Sequence, residues 1–510
     1  MIKNIKMLLL VSLTMVACSK KDDDVVVPVA NSSDGKPLTA GSADFSKFVS
    51  LGNSLSAGFS DNALFRDGQL GAWTNILAEQ FKFVGGGEYK MALTNNNVGG
   101  LLFGGNPNAR FGPRLFFTGQ GLGVAQGVGF TPNEVFSPAL SLAGPYNNVG
   151  VPGAKSFHLL SAGYGQAANL ATFTANPYYV RFAPQGANAK SMLDYAFDQT
   201  PTFFSLWIGN NDVLGYALAG GVKSAEDPMF GDDITPVPTF TFAYNTIVNK
   251  MTTNANTKGA ISNIPYVNSI PFFTTVPNAV PLTRTLVDQL NAGYAQYNGG
   301  LALAANANLI TQDEKNRRTI AFISDADLTV PSKVNRLVIV DEYLSDVQLG
   351  PNALPKYRQT TSEDLLLLSS QGAPLNAVFF QAGNGTATPL ADRFVLSKDE
   401  VMELKTATDA YNATIKSIAN AKGLAFIDAN LLLRNVASFG VSDSGITLKS
   451  AFATGGAFSM DGVHPAPRGY ALIANEFIKE INKTYGSNMK TVDLAKYRFL
   501  YPSVIGDGNK

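Results

Sequence analysis

The sequence predicts an open α/β fold, and three observations carry that prediction. Short apolar runs of strand type recur along the chain, at 45–51, 202–208, within 259–276 and at 424–427, and most end in a turn rich in Gly, Asn or Asp. Segments with apolar residues at helical spacing lie between them. The strand–helix alternation runs from Phe45 to Phe477, broken only by two long insertions at about 85–147 and 277–390. A chain of 510 residues has room for two or three average domains or for one elaborated α/β domain. With 15% charged residues, 45% hydrophobics and 48 glycines, the composition is that of a globular protein with many loops. Its formal neutrality gives no electrostatic footprint for a nucleic-acid partner.

The chain opens on a secretory signal. Lys3 and Lys6 precede the apolar run Met7 to Val16, which is too short for a permanent membrane span, and Ala17 closes the segment. Cys18 follows and is the only cysteine, which excludes an intrachain disulfide, a CxxC metal site and a cysteine nucleophile in the folded body. Met15-Val16-Ala17-Cys18 resembles a bacterial lipobox, with Met where Leu is usual. That resemblance implies removal of residues 1–17, acylation of Cys18 and a lipid anchor in the cell envelope. Ser19-Lys20-Lys21-Asp22-Asp23-Asp24 is similar to the acidic export tags of some outer-membrane lipoproteins, so an outer-membrane location in a Gram-negative envelope, leaning to the surface side, is expected. Val25 to Ala43 continues as a flexible tether.

Folded structure is expected from residue 44. Phe45 to Leu51 has a strand pattern that runs into Gly52-Asn53-Ser54-Leu55-Ser56-Ala57-Gly58, placing Ser54 where open parallel sheets carry their chemistry. Trp73, Ile76, Leu77 and Phe81 mark a helix over 71–83. The first insertion is Gly-, Asn- and Pro-rich, and its Gly119, Gly121 and Gly123 never complete GxGxxG, which rejects a dinucleotide site. Asn148 to Ala154 predicts a tight apolar turn into a helix, and Gly153 there can bring a backbone N–H close to a bound oxygen. Thr202 to Ile208 reads as a strand buried on both faces, opening into Gly209-Asn210-Asn211-Asp212; an Asn side chain is a neutral donor suited to a developing oxyanion, or a cap for the next helix.

A further strand with its exit is expected within 259–276, and a helix over 282–309. The second insertion mixes strand-like runs at Thr319 to Ile323 and Arg336 to Val340 with loops, and is expected to cover the active site. Ser397 and Glu400 form a capping box that starts a helix ending before Gly423. A strand follows at Leu424 to Ile427. The last helix shows its buried face through Tyr470, Ile473, Ala474, Phe477, Ile478 and Ile481, with Pro467 at its first turn.

The chain holds two histidines, His158 and His464. His464 has Asp461 three residues upstream in a Gly-containing loop, short enough for the carboxylate to reach one ring nitrogen and leave the other free. His158 has no carboxylate nearby in sequence and reads as a packing residue.

Gly52-Asn53-Ser54-Leu55, Gly153, Gly209-Asn210-Asn211-Asp212 and Asp461-Gly462-Val463-His464-Pro465 resemble, in this order, the four sequence blocks of the SGNH, or GDSL-type, serine hydrolases. The match covers roughly 44–84, 148–214, 259–276 and 391–484. It implies a three-layer α/β/α sandwich on a mostly parallel, flavodoxin-like sheet, enlarged by the two insertions, so that 44–510 forms one hydrolase domain. By position it makes Ser54 the nucleophile, His464 the general base and Asp461 its orienting carboxylate. Gly153 N–H, the Asn211 side chain and the Ser54 N–H become the oxyanion hole. Asn53 departs from the family, which has Asp there. The reaction implied is ester hydrolysis through an acyl-enzyme, with no metal or organic cofactor. Lipid esters, small acyl esters and acetylated glycans are the candidate substrates, and a non-catalytic, glycan-binding surface lipoprotein is the alternative.

Overall fold

The structure, a computed structural model, describes residues 35–118, 122–124, 132–135, 144–222, 231–323, 334–371 and 383–502. The expected signal peptide and the lipidation at Cys18 lie outside the described residues.

Five strands, β1 (Phe48–Gly52), β2 (Asn148–Gly150), β3 (Phe203–Trp207), β4 (Lys258–Ser262) and β5 (Ala425–Ile427), form one all-parallel sheet in the order β5-β4-β3-β1-β2. Ser50 of β1 pairs with Asn148 on one side and Ser205 on the other. Read by chain order this is 2-1-3-4-5, the doubly wound order of flavodoxin-like sheets. The direction of winding reverses between β1 and β3, which opens a crevice past their carboxyl ends. β1 and β3 are buried throughout, as expected of strands covered on both faces.

The helices used below are α1 (Ser54–Ala57), α2 (Trp73–Lys82), α3 (Met192–Phe197), α4 (Asn211–Leu218), α5 (Val237–Met251), α6 (Arg284–Asn306), α7 (Lys398–Lys422), α8 (Ala429–Ser438) and α9 (Pro467–Tyr485). α2 packs on α9 at one face of the sheet, where the Trp73 and Phe477 rings stack 4.1 Å apart. α3, α5 and α7 cover the other face, with Phe240 stacked on Tyr411 at 4.1 Å. The capping box of α7 forms as predicted: Glu400 N–H donates to Ser397 Oγ at 3.4 Å, and Ser397 N–H donates to Glu400 Oε2 at 2.6 Å.

Two local expectations differ. Asn148–Gly150 is a strand of the central sheet, and the helical turn comes only afterwards, as a 3₁₀ segment at Ser156–Leu160. Thr319 to Ile323 is extended but joins no ladder. The side chains of Asn291 and Asn298, seven residues apart and so on one face of α6, take the place of a partner strand: each amide accepts from and donates to a single backbone residue, Phe322 and Ile320 respectively, at 2.8–3.0 Å.

The second insertion carries small apolar clusters of its own, such as that of Val287, Leu290, Tyr294, Phe322 and Val338. At its centre Arg358 is buried, forking onto Asp364 at 2.7 and 2.8 Å and pairing with Asp341. Asp364 also accepts from Lys398 N–H at 3.1 Å, which ties the insertion to the start of α7.

The start of the described chain is stapled to the far end of α9. Ser42 N–H donates to Tyr485 O at 2.8 Å, and the Asn488 amide accepts from Thr39 N–H at 2.7 Å and donates to Pro37 O at 3.1 Å. Gly41 permits this approach, since a Cβ there would lie 2.1 Å from Tyr485 O.

Candidate active site

β1 ends directly at the nucleophile candidate. Ser54 begins the one-turn helix α1, and Asn53 Oδ1 caps it by accepting from Leu55 N–H at 3.0 Å. The Asn53 amide also donates to Asn210 Oδ1 at 3.2 Å, joining the exits of β1 and β3. An Asp at 53 could cap α1 but, when ionised, could not make that donation.

The loop before α9 brings His464, the candidate base, to Ser54 from about 400 residues away. His464 Nε2 lies 2.9 Å from Ser54 Oγ, and His464 Nδ1 lies 2.8 Å from Asp461 Oδ2. Asp461 is buried, and burial by itself would raise its carboxyl. The His464 ring and the backbone N–H groups of His464 and Val463, both at 2.8 Å, outweigh burial and hold it below the usual carboxylate range. An ionised Asp461 fixes the tautomer that leaves Nε2 free to take a proton from Ser54.

A short hairpin clasps this loop. Ser60 and Ala63 exchange backbone hydrogen bonds across Asp61 and Asn62, whose φ of 50° and 63° suit the type I′ turn and the Asp and Asn found there. Asn62 N–H donates to Asp461 Oδ2 at 2.8 Å, Asp61 N–H to Ser459 Oγ at 3.0 Å, and Met460 N–H to Asp61 Oδ1 at 2.9 Å. Ser459 Oγ donates in turn to Asp461 Oδ1 at 3.0 Å. Burial, with Asp461 close by, pushes the Asp61 carboxyl up to about 7. Arg114, from the first insertion, offsets part of this; its guanidinium is buried 3.5 Å from Asp61 Oδ2 and packs over the Phe65 ring. Sequence reasoning missed Asp61, Asn62, Ser459 and Arg114 as parts of the site. The Asp-Asn pair signals a turn, but nothing local shows what the turn holds.

The oxyanion candidates converge on the same cleft as Ser54 and His464. Gly153 adopts a φ of 82°, a left-handed turn that glycine enters without strain. Asn211 opens α4, and its amide donates one proton to Ala154 O at 2.9 Å, leaving its second N–H available. The Ser54 N–H lies in the first turn of α1, where helical N–H groups lack an intrahelical acceptor. Asp212 holds the two loops together from beneath: its carboxylate accepts from Ser156 N–H at 2.9 Å and from Ser156 Oγ at 2.6 Å. Asp212 is fully buried, and burial raises its carboxyl against the pull of the Ser156 hydrogen bonds. His158 stands apart as expected of a packing residue. Its Nδ1 accepts from Lys155 N–H at 3.1 Å and its ring stacks on Tyr164.

Two cavities meet at Ser54 and His464. One is a wide cleft of ≈ 510 Å³ with polar and aromatic walls that include Arg110, Phe111, Tyr178, Asp232 and Phe272. The other is a narrow slot of ≈ 100 Å³ bounded by α8, α9 and Trp207. The second insertion was expected to cover the site, yet its described residues line neither cavity; Arg110 and Phe111 of the first insertion do. Phe272, just ahead of the second insertion, donates its N–H to Gly462 O at 2.9 Å and so braces the loop that carries His464. Among the described residues no cluster of His, Cys, Asp or Glu is placed to hold a metal ion. No protein-family profile, curated protein or solved structure matches this chain.

Proposed function

We propose that this chain is a serine ester hydrolase of the SGNH type, working through Ser54, His464 and Asp461. The observation that carries the reading is the unbroken chain of contacts from Ser54 Oγ to His464 Nε2 at 2.9 Å and from His464 Nδ1 to Asp461 at 2.8 Å, set at the switch point of the sheet. In this reading Ser54 Oγ attacks the ester carbonyl as its proton passes to His464 Nε2. Asp461 stabilises the imidazolium, and the N–H groups of Gly153, Asn211 and Ser54 receive the oxyanion. His464 returns the proton to the departing alcohol. Water then enters and gives a proton to the same nitrogen as its oxygen adds to the acyl carbon; His464 returns that proton to Ser54 Oγ as the acyl–oxygen bond breaks, releasing the acid and free Ser54.

Polar and aromatic walls in the wide cleft suit an alcohol that is itself polar, such as a polyol or a sugar, which keeps acylated glycans among the substrates. The lipid anchor at Cys18 and an envelope location belong to the same proposal. Among the described residues no helix is long and apolar enough to cross a membrane.

The test is labelling of residues 19–510 with a fluorophosphonate, beside Ser54→Ala and His464→Ala, with aryl-ester hydrolysis followed in parallel. Labelling and turnover that disappear in both variants are expected. Folded wild-type protein that neither labels nor hydrolyses would overturn the reading in favour of a binding protein.

A further inference from the structure

The narrow slot begins at Ser54 and His464 and then loses its polar groups. Beyond Asn210 and Asn211 its walls are Val267, Leu432, Leu433, Val436, Leu472 and Ile473. Trp207 also lines it, with its indole N–H already donated to Asn263 O at 3.1 Å. A water molecule needs two to four polar partners, and a lining of this kind offers few away from Ser54, His464 and the two Asn side chains.

That lining assigns the two cavities, given the serine-hydrolase reading on which this inference rests. In a two-step hydrolysis the acyl group stays on Ser54 through both steps, whereas the alcohol leaves and water takes its place beside His464 Nε2. The water must arrive by the route the alcohol vacated. The wider cleft, whose lining includes Asn62, Arg110 and Asp232, can admit and hold water, while the smaller, almost wholly apolar slot offers it few partners, so the alcohol belongs in the cleft. We infer that the slot between α8 and α9 holds an unbranched aliphatic acyl chain, and that the preferred substrates are medium-chain acyl esters of a polar alcohol, with acetyl esters poorly used. Val436, buried in the wall of the slot, then sets the chain length accepted.

Two measurements test this. The first is kcat/KM on aryl esters from acetyl to dodecanoyl, for wild type, Val436→Phe and Val436→Ala, each checked for cooperative thermal unfolding. Wild type should gain up to about fourfold per methylene from acetyl to hexanoyl, the value of a fully buried CH₂. Val436→Phe should cut the octanoyl-to-acetyl ratio at least tenfold, and Val436→Ala should shift the optimum to longer chains. The second uses Ser54→Ala, so that no turnover is needed. The chain has only two tryptophans, and the Trp73 ring lies 6.0 Å from that of Trp207, so octanoate brominated at its terminal carbon should quench their emission saturably. Val436→Phe in the same background should abolish the quenching.

A profile that is flat or falls from acetyl upward in a protein that labels with fluorophosphonate overturns the slot assignment and favours a deacetylase. Absent quenching overturns it as well. Saturable quenching without labelling or turnover leaves the slot as an aliphatic-chain site and removes the hydrolase reading instead.

Discussion

Asp61 and Arg114 show how far the loop that carries Asp461 and His464 depends on charges beyond its own residues. Both are almost fully buried, and their 3.5 Å pair adjoins Asp461, which carries a charge of the same sign as Asp61. Arg114→Met removes the cation and leaves the carboxylate buried, a change that typically costs about 3–5 kcal/mol. The cost depends on pH with a definite sign. Burial raises the folded-state value of Asp61 to about 7, so the folded protein holds this proton more tightly than the unfolded chain does, and the contribution favouring folding is lost as pH rises through that value. Where Asp61 is protonated the missing cation matters less. Denaturant unfolding of Arg114→Met should therefore show a large deficit at pH 8 that shrinks by pH 5; an equal deficit at both would refute the pairing. Ser54, Asp461 and His464 could be picked out in the sequence as candidates because Asp461 and His464, like Ser54 and its glycine, are neighbours along the chain, while their roles came from the resemblance. Arg114, Asp61 and the Asp212–Ser156 link were not, because each acts through a partner that only the folded chain brings near.

Between elements, the loops after β2 and β3 act as one piece because Asp212 bonds Ser156 while Asn211 bonds Ala154. Asp212→Ala should leave the Ser156 N–H and hydroxyl unsatisfied and cost on the order of 3 kcal/mol. Under the hydrolase reading it should also lower kcat by about 100-fold or more through displaced oxyanion donors, with KM nearly unchanged. Partial recovery in Asp212→Asn would support positioning, and an unchanged kcat in folded Asp212→Ala would refute it. The buried strands β1 and β3 and the capped helix α7 were readable because their patterns are continuous and their caps local. β2 escaped because it is three residues long at the sheet edge, with a glycine as its last residue. The extended run at 319–323 misled in the opposite direction. Its β-type sequence is satisfied by amides of α6, a pairing that strand periodicity does not encode.

Across the whole molecule, the parallel sheet was anticipated through strand–helix alternation, while the internal order of the second insertion was not, since its short antiparallel pairs carry little periodic signal. That insertion has apolar clusters of its own and an ionic hub at Arg358. Arg358→Met strands two buried carboxylates and should destabilise the insertion by about 3–5 kcal/mol. Hydrogen exchange should rise across the described residues of 277–390 ahead of the central sheet, with fluorophosphonate labelling of Ser54 retained. Simultaneous loss of both would mean that the insertion and the sheet unfold as one unit.

The staple between Ser42 and Tyr485 sets an orientation. α9 has 19 residues and so runs about 28 Å, with His464 just ahead of its first turn and the staple at its last. If Cys18 carries lipid, the tether joins the body at the end of α9 away from Ser54 and His464. Under that reading and the hydrolase reading together, esters arriving from the surrounding medium or from a facing surface would meet Ser54 ahead of the lipids of the mooring bilayer.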